Sequence, residues 1–420
     1  MESNAAPPGS YAAPAGLSAR VFAAAVLAYP VLGLFAPKAL VPLLVVAAAA
    51  LLFAPANRRE FGRALRRPVF VMIATLMLWS LAGVAWSPAR AEALALWPSM
   101  AALAAAGAVM LVAAGRLGPG ARAMTGRALV AAGVGFVLVF AAELLSEGWL
   151  TRALVEAWNR LTPWQAAMPM PRNLLGQQSA TLAVFAWPCA IAVRRHRSVR
   201  DMIVFLAVVA AVLAAQTMLS SALAFGFGLG VLAVAWRWPR LGAPGVALVL
   251  LAANAALFMA APGIAERLHQ DPAALGLATS WQERIYVLDF VLGRVAEHPL
   301  IGWGLDASRV LGQGVAGPFS GAGAIPLHPH NLWAQLWLEL GLVGLVLAAA
   351  LVAGVLVRPA RLGLARADAA AVLACVASYL VIGNISYGVW QNWWLALAWL
   401  AAAFVAALVP SQKRDAPAPT

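Results

Sequence analysis

Twelve apolar runs, each of near-bilayer length, follow one another along this 420-residue chain. They lie near residues 18–36, 38–55, 69–86, 93–115, 128–148, 173–193, 201–218, 221–236, 243–262, 332–357, 369–388 and 390–409. A helix crosses the hydrocarbon core with roughly 17 to 25 apolar residues, because in lipid every backbone N–H and C=O has to be bonded internally. Hydrophobic residues make up 63% of the chain and charged ones 11%, more apolar surface than a soluble fold of this length needs. The pattern predicts an all-α polytopic membrane protein with about twelve transmembrane helices. The joins at 36–38, 218–221 and 388–390 are the tightest and the easiest to miscount.

The charges between the runs predict orientation. Arg58, Arg59, Arg63, Arg66 and Arg67 follow the second run, and Arg116, Arg122 and Arg127 the fourth. Arg194, Arg195, Arg197 and Arg200 follow the sixth, and Arg237 and Arg240 the eighth. Arg358, Arg361 and Arg366 follow the tenth, and Lys413 and Arg414 the twelfth. Every even-numbered exit is basic, which by the positive-inside rule predicts both termini in the cytoplasm. The net charge of +13 is spread over these clusters rather than gathered in one domain, so it points to membrane lipids and not to nucleic acid. Cys189 and Cys375 lie inside apolar runs and suggest no disulfide framework. The Pro/Ala-rich ends, 1–17 and 410–420, read as disordered cytoplasmic tails around one transmembrane domain, 18–409. No cleavable signal peptide is evident, since the first run begins late and has spanning length.

Acidic residues gather on the other side, in or beside the outward segments 149–172 and 263–331. Connections this long in a compact bundle are usually functional. Within the second, Ile285, Leu288, Val291, Leu292 and Val295 repeat at helical spacing and predict a helix over Trp281–Glu297. Pro299 ends it, and Gly302, Gly304, Gly312, Gly314, Gly317, Gly321 and Gly323 predict a turning loop.

That loop closes on His328-Pro329-His330-Asn331, where a polar segment becomes the tenth apolar run. Asn331, Gln335 and Glu339 fall at i, i+4 and i+8 and share one helical face. Polar groups there are costly unless they face protein or a wet cavity. Gly341 and Gly344, three apart, predict a close backbone approach. His330 and Asn331 make a plausible helix cap or a catalytic pair. His269, Asp271, His298, Asp306, His328 and His330 share the loop, yet their spacing matches no zinc signature. Arg284 reads either as a surface ion pair beside Glu283 or as a clamp on a pyrophosphate, with Arg172 and Arg309 as further candidates. Trp149, Trp158, Trp164, Trp281, Trp303, Trp333, Trp337, Trp390, Trp393 and Trp394 crowd the expected outer ends, as in an interface belt.

His330-Asn331, nine residues, then Gly341-x-x-Gly344 resembles the H-[N/S/Q]-x9-G-x-x-G signature of the O-antigen ligase family, which includes related polymerases. Arg284 followed by Pro299-Leu300-Ile301-Gly302-Trp303-Gly304 is similar to the family's arginine and P-L-x-G-x-G stretch. The resemblance implies a bacterial inner-membrane glycosyltransferase with a large periplasmic loop between helices 9 and 10. It would move a glycan from undecaprenyl diphosphate to an acceptor hydroxyl, on lipid A-core or a related molecule, at the periplasmic face. It implies His330 as the catalytic residue that activates the acceptor. Arg284 would bind pyrophosphate, with Arg172, Arg309 and Asn331 as further substrate contacts. Positive charge and one base would suffice without metal or other cofactor. One departure stands out: where the family carries a Ser-Arg pair, this chain reads Leu219-Ser220-Ser221-Ala222. A lipid-linked repeat-unit polymerase, a twelve-helix secondary transporter and a non-catalytic relative remain alternatives.

Overall fold

The computed structural model describes residues 16–162, 174–315, 317 and 323–409. Seventeen α-helices and no strand form among them. In chain order they are α1 (Leu17–Phe35), α2 (Leu40–Leu52), α3 (Pro55–Ala64), α4 (Pro68–Gly83), α5 (Arg90–Ala114) and α6 (Pro119–Leu145). Next come α7 (Trp149–Leu161), α8 (Leu174–His196), α9 (Val199–Ala214), α10 (Leu219–Arg237), α11 (Pro239–Gln270) and α12 (Thr279–Glu297). The chain ends with α13 (Ser308–Leu311), α14 (Leu332–Leu356), α15 (Arg358–Arg361), α16 (Arg366–Ile385) and α17 (Asn392–Leu408).

Each of the twelve apolar runs falls on one helix, and the three tight joins separate distinct helices. By length and apolarity, seven helices among the described residues are long enough to cross a membrane: α1, α5, α6, α10, α11, α14 and α16. An eighth counts if the α2–α3 pair, bent by 110°, is one span. The chain is a multi-pass membrane protein. Helices α4 and α17 are apolar but shorter. Residues 1–15 and 410–420 of the expected tails, with Trp164 and Arg172, lie outside the described residues, and Leu17, expected in the first tail, opens α1.

Helix α8 is the axis of the bundle. Every residue from Gln178 to Val193 is buried, packed by α1, α6, α9, α10, α16 and α17. A helix enclosed this way needs polar groups that find partners inside. The Trp187 indole donates to Ser378 Oγ (3.0 Å), whose hydroxyl donates to Ala224 O (3.1 Å), tying α8, α16 and α10 together. Gln178 donates to Leu34 O (2.6 Å), and Tyr29 stacks on Phe185 with ring centroids 4.1 Å apart.

At one end of α16, Asp368 (1% exposed) accepts two bonds each from Arg194 and Arg195, so the basic end of α8 is locked to the start of α16. Arg195 also bonds Leu408 O at the end of α17.

Two of the long connecting segments are more helical than expected. The 149–172 segment begins with the thirteen-residue α7, capped by the Glu143 carboxylate, which accepts from the amides of Leu150 (2.8 Å) and Thr151 (3.1 Å). The ninth run continues past Pro262 to Gln270, because Ala265 and Leu268 pack under Tyr286 of α12. The loop helix lies at Thr279–Glu297, with Leu288, Val291 and Val295 buried as the periodicity requires.

Replacing Asp368 with Asn leaves two guanidinium groups facing one neutral amide. D368N is expected to lower stability by roughly 1–3 kcal/mol, the arginines being partly exposed. The fall is read as the melting temperature of detergent-solubilised protein.

Candidate active site

The loop after α12 and the helix α14 meet at a break in the helix. Gly341 has φ 64° and ψ −170°, a conformation essentially restricted to glycine, and it interrupts the α14 hydrogen-bond ladder. The groups freed by the break are taken up by neighbouring segments. Trp303 N–H donates to Leu338 O and Gly304 N–H to Glu339 O, both at 2.8 Å. The Trp79 indole donates to Leu340 O (2.9 Å). On the far side, Leu342 N–H donates to Pro299 O (2.9 Å) and Val343 N–H to Leu300 O (3.3 Å). The two backbones approach so closely that a Cβ on Gly341 would sit 2.2 Å from Leu300 O. A Cβ on Gly302 would sit 2.5 Å from Gly341 N. The expected backbone approach is therefore made at Gly341. Gly344 serves differently: a Cβ there would lie 2.1 Å from Leu340 Cβ in the same helix.

Asn331 caps the start of α14. Its Oδ1 accepts from Ala334 N–H (2.8 Å) and its Nδ2 donates to Asn254 Oδ1 on α11 (3.2 Å). At 5% exposure the amide is engaged with the protein at both ends. His330, just before it, adopts a left-handed φ of 55°, uncommon for a residue with a side chain. Two bonds hold it there: its N–H donates to His328 Nδ1 (3.3 Å), and its own Nδ1 lies 3.1 Å from Ser386 O. A carbonyl only accepts, so Nδ1 carries the proton and the lone pair is on Nε2. The centroids of the two imidazole rings lie 4.3 Å apart.

Arg284 projects from α12 onto the same stretch. Its Nε donates to Ile385 O (2.8 Å), one residue before the carbonyl that holds His330, and its Nη1 bonds Ser280 O. The guanidinium also lies over the Trp281 ring at 5.2 Å. The alternative ion pair with Glu283 is not among the ion pairs of the described residues. Burial, and then the Arg284 charge, push the His330 pKa down to about 4. Burial, then His330 and Arg284, push His328 down to about 3. Both rings are neutral near pH 7.

Residues 202–349, which contain Arg284 and the whole stretch from His330 to Gly344, match the family model described as O-antigen ligase. A 267-residue stretch is 30% identical to a Rickettsia conorii protein named "Putative polysaccharide ligase", covering 62% of this chain and 61% of that one. Over this matched stretch the chain is similar to the O-antigen ligase family. Proteins of the same name from Rickettsia felis and Rickettsia prowazekii are 27% and 28% identical over similar stretches. The chain thus spans about three fifths of the length of the curated relatives it matches, 61% to 62%.

Arg309 is a second cation whose charge reaches the histidine pair. Its Nε donates to Asp306 Oδ2 (2.6 Å), and its charge contributes to the lowered pKa of His328. The structure brings together Arg284, Arg309, His330 and Asn331; Arg172 lies outside the described residues. Ser221 is buried and accepts from Ser179 Oγ (3.0 Å), so this position is a serine–serine contact between α10 and α8. Among the described residues no three His, Cys, Asp or Glu side chains group as a metal site. Sequence reasoning missed the carbonyls of Ile385 and Ser386, which carry no side-chain signal, and Trp390, which it assigned to the interface belt.

Gly341→Ala is expected to abolish folded protein, or to cost more than about 3 kcal/mol through strain and the clash with Leu300 O. Gly354→Ala, on the same helix with open space around it, is the matched control and is expected to be neutral or slightly stabilising. Size-exclusion profiles and melting temperatures of the two variants compare them directly.

Proposed function

We propose that this chain is a membrane glycosyltransferase that moves a glycan from undecaprenyl diphosphate to an acceptor hydroxyl on the periplasmic face of the bacterial inner membrane. The observation that carries the reading is the pairing of a neutral His330, its Nε2 lone pair available, with Arg284 on the adjacent carbonyl. His330 Nε2 takes the acceptor proton as the acceptor oxygen attacks the anomeric carbon. The bond from that carbon to the diphosphate oxygen breaks, and its electron pair leaves with undecaprenyl diphosphate. Arg284 stabilises the charge that develops there, bidentate contact with phosphate being what a guanidinium offers. Arg309 and Arg172 supply further positive charge where Ser221 gives none. Asn331 acts indirectly, by anchoring the helix start that presents His330.

Orientation is part of the proposal. The Arg194–Asp368–Arg195 cluster and the histidine pair stand at opposite ends of α16, about 25 Å apart at the rise of an α-helix. With the basic end cytoplasmic, the site opens on the outer face, both termini lie inside, and twelve helices cross. The domain is 18–409, and 263–331 is its periplasmic loop.

His330→Ala is expected to lower transfer from a polyprenyl-diphosphate glycan by about 10²–10⁴-fold, the usual worth of a general base. Full-length glycan made at the normal rate on the acceptor by this variant would overturn the mechanism. Arg284→Lys keeps the charge but loses the fork, and is expected to raise donor KM by about tenfold or more. Glycan made without the gene identifies the acceptor: free uncapped polymer marks a ligase, and single repeats on the acceptor mark a polymerase.

Acid protonates the base, so kcat/KM is expected to stay level from pH 8 down to about 5 and then fall as His330 titrates near its free-enzyme value of about 4. A pH–rate profile that breaks near the ordinary histidine value of about 6.5 would contradict this assignment.

A further inference from the structure

Glu339 stands two residues before the break in α14 and is fully buried. No cation is among its described hydrogen-bond partners. Oε2 accepts from Asp306 N–H (2.8 Å) and from the Trp390 indole (2.6 Å), while Oε1 accepts from Gln335 Nε2 (3.1 Å). Gln335 in turn accepts from Val389 N–H through Oε1 (2.9 Å). A buried carboxylate with no cation against it is expensive, and an apolar side chain would fill this part of a membrane helix at less cost.

The bonds lead to the site on both sides. Asp306, held with a left-handed φ of 60°, opens the short turn that carries Arg309. Val389 and Trp390 follow Ser386, which holds His330, and Gly388, where a Cβ would lie 3.0 Å from His328. We propose that Glu339 is a positioning residue for the transfer reaction: its carboxylate fixes the Arg309 turn and the 386–390 segment in register with His330. The proposal rests on the glycosyltransferase reading for its kinetic consequence, but not for its structural one.

The order of the two side chains makes it testable. In Glu339→Gln, the new amide either turns its NH2 toward Gln335 Nε2 or loses an acceptor for Asp306 and Trp390. Flipping Gln335 only moves the donor–donor conflict to Val389 N–H. In the exchanged pair Q335E/E339Q, residue 339 donates to the carboxylate at 335, which still accepts from Val389. The oxygen at 339 still accepts from Asp306 and Trp390. All four bonds survive and the charge moves one turn.

Purified wild type, E339Q and Q335E/E339Q are compared with a polyprenyl-diphosphate glycan donor. E339Q is expected to lose about 10²-fold in kcat while donor KM changes by less than about threefold, the signature of misplaced rather than missing groups. The exchanged pair is expected to return to within about tenfold of wild type. Wild-type kcat in E339Q, or an exchanged pair as inactive as E339Q while equally folded, overturns the proposal. If E339Q does not accumulate, Trp390→Phe removes one donor and keeps the carboxylate. It is expected to lower kcat by about tenfold, and an unchanged kcat overturns the proposal.

If wild type transfers no glycan from such donors, the glycosyltransferase reading fails and amide hydrogen exchange decides the positioning role. Peptides covering 302–311 and 386–391 are expected to exchange about tenfold faster together in E339Q, and to regain protection in the exchanged pair. Unchanged exchange in E339Q, or no recovery in the exchanged pair, overturns it.

Discussion

Five hydrogen bonds across the break at Gly341 are the constraint on which the site depends. A helix in lipid has no water to satisfy an interrupted ladder, so an irregular turn at that depth persists only where other protein groups replace the lost partners. Here Pro299, Leu300, Trp303 and Gly304 supply four of the replacements and Trp79 the fifth. The glycines are what make this possible. Gly302 and Gly341 lie so close that a Cβ on either would collide with the other's backbone or its neighbour's. The two sequence motifs therefore behave as one structural unit, a break and its filling.

That unit places polar side chains where a continuous apolar helix could not. Asn331, Gln335 and Glu339 line one face of α14 and reach three other segments: Asn254 on α11, Val389 and Trp390 after α16, and Asp306 before α13. The histidine pair sits at the head of this face. Its lowered basicity follows from being enclosed, with the charges of Arg284 and Arg309 adding to the effect at His328.

Much of the scaffold was legible because bilayer thickness imposes a length on each apolar run, and each run did become a helix. The periodicity of Ile285 to Val295 likewise foretold the packed face of α12. Helix ends were harder. Nothing local stops α11 at Pro262, and its last turns exist only because Ala265 and Leu268 find Tyr286 across the loop. Of the site, the shared face of Asn331, Gln335 and Glu339 was readable from spacing alone, whereas its partners were not, since most are backbone groups. Arg284 was readable as a cation but not as one bound to carbonyls, and Ser221 was readable as a difference whose contact with Ser179 needed the fold.

The last turn of α16 gives one consequence of its own. The carbonyls at a helix C-terminus lack partners along the helix and form its negative pole. Here Ile385 O holds Arg284 and Ser386 O holds the imidazole of His330. A guanidinium oriented by carbonyl dipoles is aimed without being neutralised. Had a carboxylate held Arg284, an arriving diphosphate would have had to displace an equal charge. Tethered as it is, the cation keeps its full charge for the diphosphate of the proposed reaction.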